Sequence, residues 1–155
     1  HVFGESDDWV NRKVKAVLDG GLKPILCIGE TLGQREAGQT NLVLESQLEQ
    51  GLKDVAELEN CVIAYEPVWA IGTGVTAENE QVKLAHQVVR KILVELYPGS
   101  DDIQVLYGGS VNTGNAEELI SVPGVNGFLI GGASLDVDSF TSITQTVDNI
   151  QERIL

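Results

Sequence analysis

The feature that most constrains this chain is a regular alternation of short apolar runs with stretches of helical periodicity. Each run contains almost no polar residue, a pattern typical of a β-strand that is covered on both faces. Because strands and helices alternate from one end to the other, the sequence predicts a parallel sheet with right-handed crossovers, and hence an α/β fold. The predicted strands are Ile25–Ile28, Cys61–Tyr65, Ile103–Tyr107 and Phe128–Ile130.

Apolar residues at spacings of three and four predict one helix before the first strand and one after each strand. Ser6, Asp7 and Asp8 are N-cap-type residues for the first helix, and Pro98–Gly99 ends the third. No linker or low-complexity tract interrupts the pattern, so we expect a single domain over residues 1–155. The predicted helices cover residues 10–18, 44–55, 82–96, 116–120 and 140–154.

Four βα units are too few for a complete (β/α)₈ barrel. Such a barrel takes about 250 residues, and this chain has 155. One interpretation is half of a barrel, with the helices on one side of a curved sheet. The alternative is a flavodoxin-like doubly wound sheet, which usually has about five strands. Periodicity alone does not separate the two.

The charge balance limits the partners that this chain can bind. It has 23 acidic and 10 basic residues and a formal net charge of −13, which repels nucleic acid and anionic membrane surfaces at long range. No apolar run approaches the roughly 18 residues that cross a bilayer. We therefore expect a soluble protein that has neither nucleic acid nor a membrane as a partner.

The N-terminus and the cysteines favour a reducing, cytoplasmic setting. His1–Gly4 lacks the pattern of a signal peptide, and the absence of methionine suggests a fragment or a processed product. Cys27 and Cys61 each lie in an apolar run and are expected to be buried and reduced. On neighbouring parallel strands they would be staggered by roughly 10 Å, at about 3.3 Å per residue. A disulfide needs Cα atoms within about 7 Å, so none is expected.

Glu66 is the strongest candidate for a catalytic residue. It directly follows the predicted strand Cys61–Tyr65, and α/β proteins place their active sites at the C-terminal ends of strands. The alternative is a structural glutamate that caps a loop or pairs with an arginine. Because buried carboxylates are rare unless they are paired or functional, the position favours catalysis.

The residues after Glu66 have the composition of a closing lid. Pro67 fixes a backbone angle and Trp69 provides a bulky anchor, whereas Ala70–Gly74 are small enough to be pliable. A stiff hinge followed by a pliable tip is what a lid requires. An ordinary glycine-rich βα loop is the alternative. We call Pro67–Thr76 the lid segment.

Two glycine pairs follow the last two predicted strands. Tyr107 leads into Gly108-Gly109-Ser110, and Ile130 leads into Gly131–Gly132. Paired glycines let the backbone approach a ligand closely, and barrels commonly hold a phosphate on the loops after their last two strands. Either pair alone would as readily form a tight turn. Both pairs together, downstream of Glu66, predict a phosphate site.

The chain resembles the triosephosphate isomerase family over essentially its whole length, most specifically at residues 64–74, AYEPVWAIGTG. Phe3–Asp7 is similar to the start of the family's fourth helix, and Ile28–Thr31 to the end of its fifth strand. The resemblance implies that Glu66 is the general base. It also implies a set of substrate phosphate ligands, which are Gly72, Ser110, Gly131 and Gly132. The residues that it implies for lid closure are Pro67, Trp69, Gly74, Ala77 and Tyr107.

The resemblance implies a (β/α)₈ barrel of which this chain supplies the last four βα units. The implied activity interconverts glyceraldehyde 3-phosphate and dihydroxyacetone phosphate through an enediolate, in glycolysis and gluconeogenesis. The implied partners are the N-terminal half of the barrel and, in a homodimer, a second subunit. No cofactor or metal is expected, since no cluster of His, Cys and Asp has ligand spacing. Another phosphate-binding barrel isomerase and a non-catalytic half-barrel module stay open as alternatives.

Some residues depart from the family pattern. The family's catalytic asparagine, lysine and histidine all precede His1, so His1 is not the electrophile. Gly124 and Asn126 stand where the family commonly has aspartates, which predicts that Arg90 lacks its usual carboxylate partner. His86 lies within a predicted helix, far from any strand C-terminus, and is expected to be a surface or packing residue.

Half of a barrel would leave two open strand edges and an uncovered inner face. We expect the edges to be the first and last predicted strands, with unpaired N–H and C=O groups. The inner face is expected to include Val62, Ala64, Val105 and Leu129, whose exposure would drive association. The isolated chain is therefore expected to be inactive and not to persist as a clean monomer.

Overall fold

A computed structural model describes residues 4–73 and 75–151 of the chain. Its sheet has four parallel strands in the order β1-β2-β3-β4, so each strand pairs with the next along the sequence. This confirms the α/β class and the parallel sheet. The strands are β1 (Ile25–Ile28), β2 (Val62–Tyr65), β3 (Gln104–Tyr107) and β4 (Gly127–Phe128).

Helices precede the sheet and follow each of its strands. The first helix begins after Ser6, whose side chain accepts a hydrogen bond from the backbone N–H of Trp9, as an N-cap should. Short 3₁₀ turns lie at Val68–Ala70 and Gly132–Leu135. The helices are α1 (Asp7–Asp19), α2 (Leu32–Glu36), α3 (Thr40–Gly51), α4 (Asn79–Leu96), α5 (Ala116–Ile120) and α6 (Val137–Gln151).

Several boundaries differ from the sequence prediction. Helix α2 was not predicted, although Thr31 and Gln34 form a capping box at its start. Helix α3 ends at Gly51 rather than at residue 55, and β4 is shorter than the predicted Phe128–Ile130. The ladder nevertheless continues past β4, because the Leu129 N–H donates to the Tyr107 carbonyl at 3.0 Å. The predicted helix end at residue 154 lies outside the described residues.

The helices cover one face of the sheet. Leu26, Ile63 and Val105 stand side by side in the register and are buried against the helices. In β1 the buried residues Leu26 and Ile28 alternate with the exposed residues Ile25 and Cys27. The expectation that the strands are covered on both faces is therefore wrong for β1, whose apolar run reflects one packed face and one open face.

The register also corrects the predicted inner face. Val105 pairs with Ile63 and lies in the helix-side core, so its assignment to the open face is wrong. Neighbours in a parallel sheet point to the same side, and alternate residues point to opposite sides. Val62 and Ala64 alternate with Ile63 and thus lie on the face opposite the helices, as predicted, but Ala64 is fully buried, so its expected exposure is wrong.

Both cysteines are free, as predicted. Cys27 is opposite Ala64 in the register, so Cys61 lies three residues earlier along the sheet. That offset corresponds to the expected stagger of about 10 Å. Cys61 is buried, but Cys27 is exposed. The predicted burial of Cys27 is wrong because its side chain points to the open face.

No helix in the described part of the chain is long and apolar enough to cross a membrane.

Arg90 of α4 keeps hydrogen-bond partners despite the two departures from the family pattern. Its guanidinium donates to the carbonyl oxygens of Asp101, Ile103 and Gly124 at 3.0, 2.8 and 3.3 Å, and to the side-chain oxygen of Asn126. Among residues 4–73 and 75–151, no carboxylate lies within ion-pair distance of it. The predicted loss of the carboxylate is confirmed, and neutral oxygens take its place.

His86 is a packing residue inside the core. Its ring is fully buried, meets the Tyr65 ring edge to face with centroids 5.9 Å apart, and bonds through Nδ1 to the Gly124 carbonyl at 3.0 Å. Its Nε2 is buried without a hydrogen-bond partner among the described residues. Burial lowers the pKa of His86 to about 4; the hydrogen bond to the Gly124 backbone acts in the opposite direction, and the nearby Arg90 charge adds a smaller lowering.

The lowered pKa of His86 predicts acid sensitivity. Between pH 6.5 and 4 the unfolded chain binds a proton at this residue that the folded chain does not, so stability falls as the pH falls through that window. We expect a loss of about 2 to 3 kcal/mol in unfolding free energy between pH 7 and 4.5 from this residue. Urea denaturation across this range should show a smaller loss for His86→Gln. Equal losses in both proteins would contradict the prediction.

Candidate active site

A cavity of about 370 Å³ opens at the C-terminal ends of β2, β3 and β4. Its walls include Glu66 and the four residues predicted to bind phosphate, which are Gly72, Ser110, Gly131 and Gly132. Residues from three separate loops therefore line one space. A carboxylate beside glycine-rich backbone can remove a proton from a ligand whose anionic group lies on that backbone.

The position of Glu66 follows from the way β2 pairs with both neighbours. Its backbone N–H donates to the Ile28 carbonyl at 2.7 Å, and the Gly108 N–H donates to the Tyr65 carbonyl at 2.8 Å. The ladder thus continues on both sides up to the residues that flank Glu66. Sheet hydrogen bonds therefore fix the backbone that carries the Glu66 carboxylate, which does not lie on a free loop.

Two glycines make room for Glu66. A Cβ atom at Gly29 would lie 1.9 Å from the Glu66 carbonyl oxygen, and one at Gly108 would lie 2.5 Å from the Glu66 Cγ. Both distances are far below van der Waals contact, so neither position accepts a side chain without movement of Glu66. Gly29 constrains its backbone, and Gly108 constrains its side chain.

The Glu66 carboxylate lies beside the thiol of Cys27. Burial raises the pKa of Glu66, and the hydrogen bond from Cys27 partly offsets this effect. Burial, the Glu66 charge and the same hydrogen bond raise the pKa of Cys27 to about 12. Although much of Cys27 is exposed, its thiol thus stays protonated at neutral pH and donates to the carboxylate. A raised carboxyl pKa strengthens Glu66 as a base.

The predicted phosphate loops leave open space beside their backbone. Among the described residues other than the immediate chain neighbours of each glycine, no atom lies within 4 Å of the position of a Cβ at Gly72, Gly131 or Gly132, and Gly72 has a φ of +65° that favours glycine. The Ser110 hydroxyl donates to the Ala70 carbonyl at 2.9 Å and so connects the loop after β3 to the lid segment.

Trp69 anchors the lid segment to a buried carboxylate. Its Nε1–H donates to Glu30 at 3.1 Å, and the Tyr65 hydroxyl donates to the same carboxylate at 3.2 Å. Arg35 completes the set with an ion pair of 2.9 Å to the fully buried Glu30. Three donors therefore compensate one buried charge, as burial requires.

Three other residues predicted to serve lid closure, Pro67, Ala77 and Tyr107, lie outside the cavity wall. Pro67 is buried at the N-terminal end of the lid segment, and Ala77 is buried just beyond its C-terminal end. Burial raises the pKa of Tyr107, and its hydroxyl is buried without a hydrogen-bond partner among the described residues. Gly74 lies outside the described residues.

Sequence reasoning missed Cys27, Gly29, Glu30 and Arg35 as parts of this site. Glu30 carried a usable signal, because it is an acidic residue just after an apolar strand, as Glu66 is. Cys27 carried no signal in the sequence, because only the pairing register with β2 places it on the same face as Ala64 and Glu66. Arg35 and Gly29 carried no signal in the sequence, since their roles depend on neighbours distant in sequence.

The cavity has no cationic wall among the described residues, and no group of three or more potential metal ligands occurs there. An anionic ligand would therefore be held by backbone N–H groups and by groups from outside these four βα units. A second cavity, of about 540 Å³, lies between β4 and α6 and is mainly apolar. It contains neither Glu66 nor a glycine pair.

Comparisons with known proteins agree with the arrangement. A family model described as triosephosphate isomerase matches residues 1–147. The chain belongs to the triosephosphate isomerase family. Together with the parallel sheet in sequential order, this membership gives a TIM-barrel-type fold and excludes the flavodoxin-like alternative.

Relatives named triosephosphate isomerase occur in several bacteria. One from Chlorobium phaeobacteroides (strain BS1) is 50% identical over 143 residues, which cover 91% of this chain and 57% of that protein. One from Geobacter metallireducens is 51% identical over 145 residues, with 91% and 58% covered. One from Rhodopirellula baltica is 49% identical over 146 residues, with 92% and 58% covered. The chain thus spans less than two thirds of the length of these relatives.

Proposed function

We propose that this chain is the C-terminal half of a triose-phosphate isomerase and supplies the catalytic base, Glu66. The observation that supports this best is the cavity that Glu66 shares with the loops after β2, β3 and β4. In this proposal residues 1–155 are the last four βα units of one barrel domain. Glyceraldehyde 3-phosphate and dihydroxyacetone phosphate are the substrates, in glycolysis and gluconeogenesis.

In the proposed reaction, Glu66 removes a proton from the carbon next to the substrate carbonyl and returns it one carbon over. The phosphate lies on the backbone of Gly72, Gly131 and Gly132 and on Ser110, which fixes the reacting carbons near the carboxylate. The lid segment closes over the intermediate and excludes water, which prevents loss of phosphate. Neither a metal nor an organic cofactor takes part.

The carbonyl polariser and the cation that balances the enediolate come from outside this chain in our proposal. The described cavity wall has no histidine, lysine or arginine, and a developing oxyanion needs such groups. The N-terminal half of the barrel supplies them. A homodimer and a cytoplasmic location complete the proposal, as the family resemblance implies.

A non-catalytic half-barrel module is the second candidate, and the open sheet face favours it. Ile25 and Cys27 are exposed on that face, and β1 and β4 each have a neighbour on one side only. A face and edges of this kind associate with a complementary half. In this reading the chain binds its partner half but contributes no chemistry. Another phosphate-binding barrel isomerase is disfavoured by the family match.

Joining the chain to the missing units tests the proposal. The joined barrel carries the part of the Geobacter metallireducens relative that this chain does not match, in our proposal its N-terminal units, followed by residues 1–155. We expect it to convert glyceraldehyde 3-phosphate in a coupled assay, whereas the chain alone should give a rate near background and associate on size-exclusion chromatography. A folded joined barrel without turnover, beside an active relative, would contradict the proposal and favour the non-catalytic module.

Lid closure is tested by two substitutions in the joined barrel. Tyr107→Phe and Ser110→Ala each remove a hydroxyl whose hydrogen bond we assign to the closed state. Each should lower kcat/KM by an amount that corresponds to about 1 kcal/mol of activation free energy. Ser110→Ala should cost more, because Ser110 also lines the proposed phosphate site. Ser121→Ala removes an exposed hydroxyl bonded to its own helix and serves as the control. Kinetics that both lid variants leave unchanged would argue against a closing lid.

A further inference from the structure

Trp69 is held on two sides by residues that lie outside the lid segment. Its Nε1–H donates to Glu30 at 3.1 Å, and the Arg35 guanidinium carbon lies 5.0 Å from the centre of its ring. Arg35 also donates to the same Glu30 oxygen at 2.9 Å. The indole is thus fixed at its edge by a carboxylate and over its face by a cation.

The backbone around Trp69 connects this contact to the lid segment. The Val68 N–H donates to the Glu30 carbonyl at 3.0 Å, and the Thr73 hydroxyl donates to the Trp69 carbonyl at 3.0 Å. Beyond it, Ile71 to Thr73 are exposed. Hydrogen bonds therefore fix the backbone on both sides of the Trp69 side chain, just before the exposed part of the lid segment.

Arg35 is itself held in place. It lies in α2, whose start is fixed by the capping box of Thr31 and Gln34, and its side chain is 22% exposed. A guanidinium in a partly buried site stacks on an indole more favourably than an exposed one, and its planar shape pairs with a carboxylate at the same time. A lysine could keep the charge pair but not the planar stacking.

We propose that Arg35 is a positioning residue for the lid: by stacking on Trp69 it fixes the hinge from which the lid segment closes over Glu66. Its role in catalysis rests on the proposed function, whereas its hold on Trp69 does not. Arg35 touches neither the cavity nor a ligand in this role. It acts through the tryptophan alone.

The first test follows Trp69 by fluorescence in the Trp9→Phe chain, where Trp69 is the remaining tryptophan. Arg35→Lys should raise acrylamide quenching of Trp69 roughly twofold, because one face of the ring is freed. The urea midpoint should stay near that of the parent, since the lysine still pairs with Glu30. Unchanged quenching would overturn the proposal. Loss of folding would also overturn it, since the ion pair rather than the stacking would then be the role of Arg35.

The second test measures kinetics in the joined barrel. Arg35→Lys should lower kcat/KM about 3- to 10-fold, the scale of one partly buried cation–π contact, and should have no further effect when Trp69→Leu is already present. Arg12→Lys is the matched control, because Arg12 stacks on Trp9 at 4.9 Å in exposed surroundings. An effect of Arg35→Lys that persists without Trp69 would overturn the proposal. If no barrel turns over, the proposed function fails, and the quenching result still decides on Arg35.

Discussion

Glu66→Gln in the joined barrel is expected to lower turnover by roughly 100-fold or more, the scale of losing a general base. The amide keeps the shape of the side chain between Gly29 and Gly108 but cannot accept a proton from carbon. Folding and phosphate affinity should stay nearly unchanged, because the backbone hydrogen bond to Ile28 is kept. Steady-state kinetics and binding of inorganic phosphate measure the two effects separately.

The control for this substitution is Glu80→Gln. Glu80 is an exposed glutamate that pairs with Lys83 on α4, away from the cavity. The same chemical change there should leave the kinetics unaltered, since a surface ion pair contributes little. Equal turnover in Glu66→Gln and the unsubstituted barrel would remove Glu66 from its proposed role. An equal loss in both variants would point to a general effect of charge.

Gly29→Ala is expected to destabilise the chain by about 3 kcal/mol, the upper part of the range for overpacking a filled site. The new Cβ would lie 1.9 Å from the Glu66 carbonyl oxygen, which is backbone and cannot rotate away. The strand ends that hold Glu66 would have to separate. Urea denaturation of the chain measures the change, and the joined barrel should lose turnover as well.

Gly33→Ala is the matched control for crowding. Gly33 lies four residues away in α2, where nothing is within 4 Å of a Cβ. Alanine favours a helix over glycine by up to about 1 kcal/mol, so this variant should be neutral or slightly more stable. A Gly29→Ala chain as stable as Gly33→Ala would show that Glu66 is not confined as described.

The sequence was sufficient for the order of the strands and of every helix except the short α2, because the apolar periods of strands and longer helices differ clearly. It was not sufficient for the direction in which individual strand residues point. Val105 and Cys27 lie in runs that are apolar throughout, so alternation between the two faces left no mark on the pattern. The pairing register decides the face, and it depends on contacts between strands distant in sequence.

The residues of the candidate site likewise fall into those that the sequence suggested and those that it did not. Glu66 and the glycine pairs could be proposed from the sequence because a carboxylate or two glycines directly after an apolar strand are locally conspicuous, and the structure places them around one cavity. The surroundings of Glu66 were not predictable from the sequence. Gly29 matters because a Cβ atom there would lie 1.9 Å from the Glu66 carbonyl oxygen, and these two residues are distant in sequence. Arg35 stood in a segment without a strong apolar period, and its contact with Trp69 spans the interval between two βα units.

Proton transfer by Glu66 is tested most directly by following triose phosphate in D₂O with proton NMR in the presence of the joined barrel. Deuterium from the solvent should enter the carbon that receives the proton in the isomerised product, and the carbon that lost it in re-formed substrate, at a rate that falls roughly 100-fold or more in Glu66→Gln. The carboxyl group exchanges its proton with solvent while the enediolate is bound, which is why the label enters. A Glu66→Gln barrel that isomerises the substrate and incorporates deuterium as fast as the unsubstituted barrel would contradict Glu66 as the base.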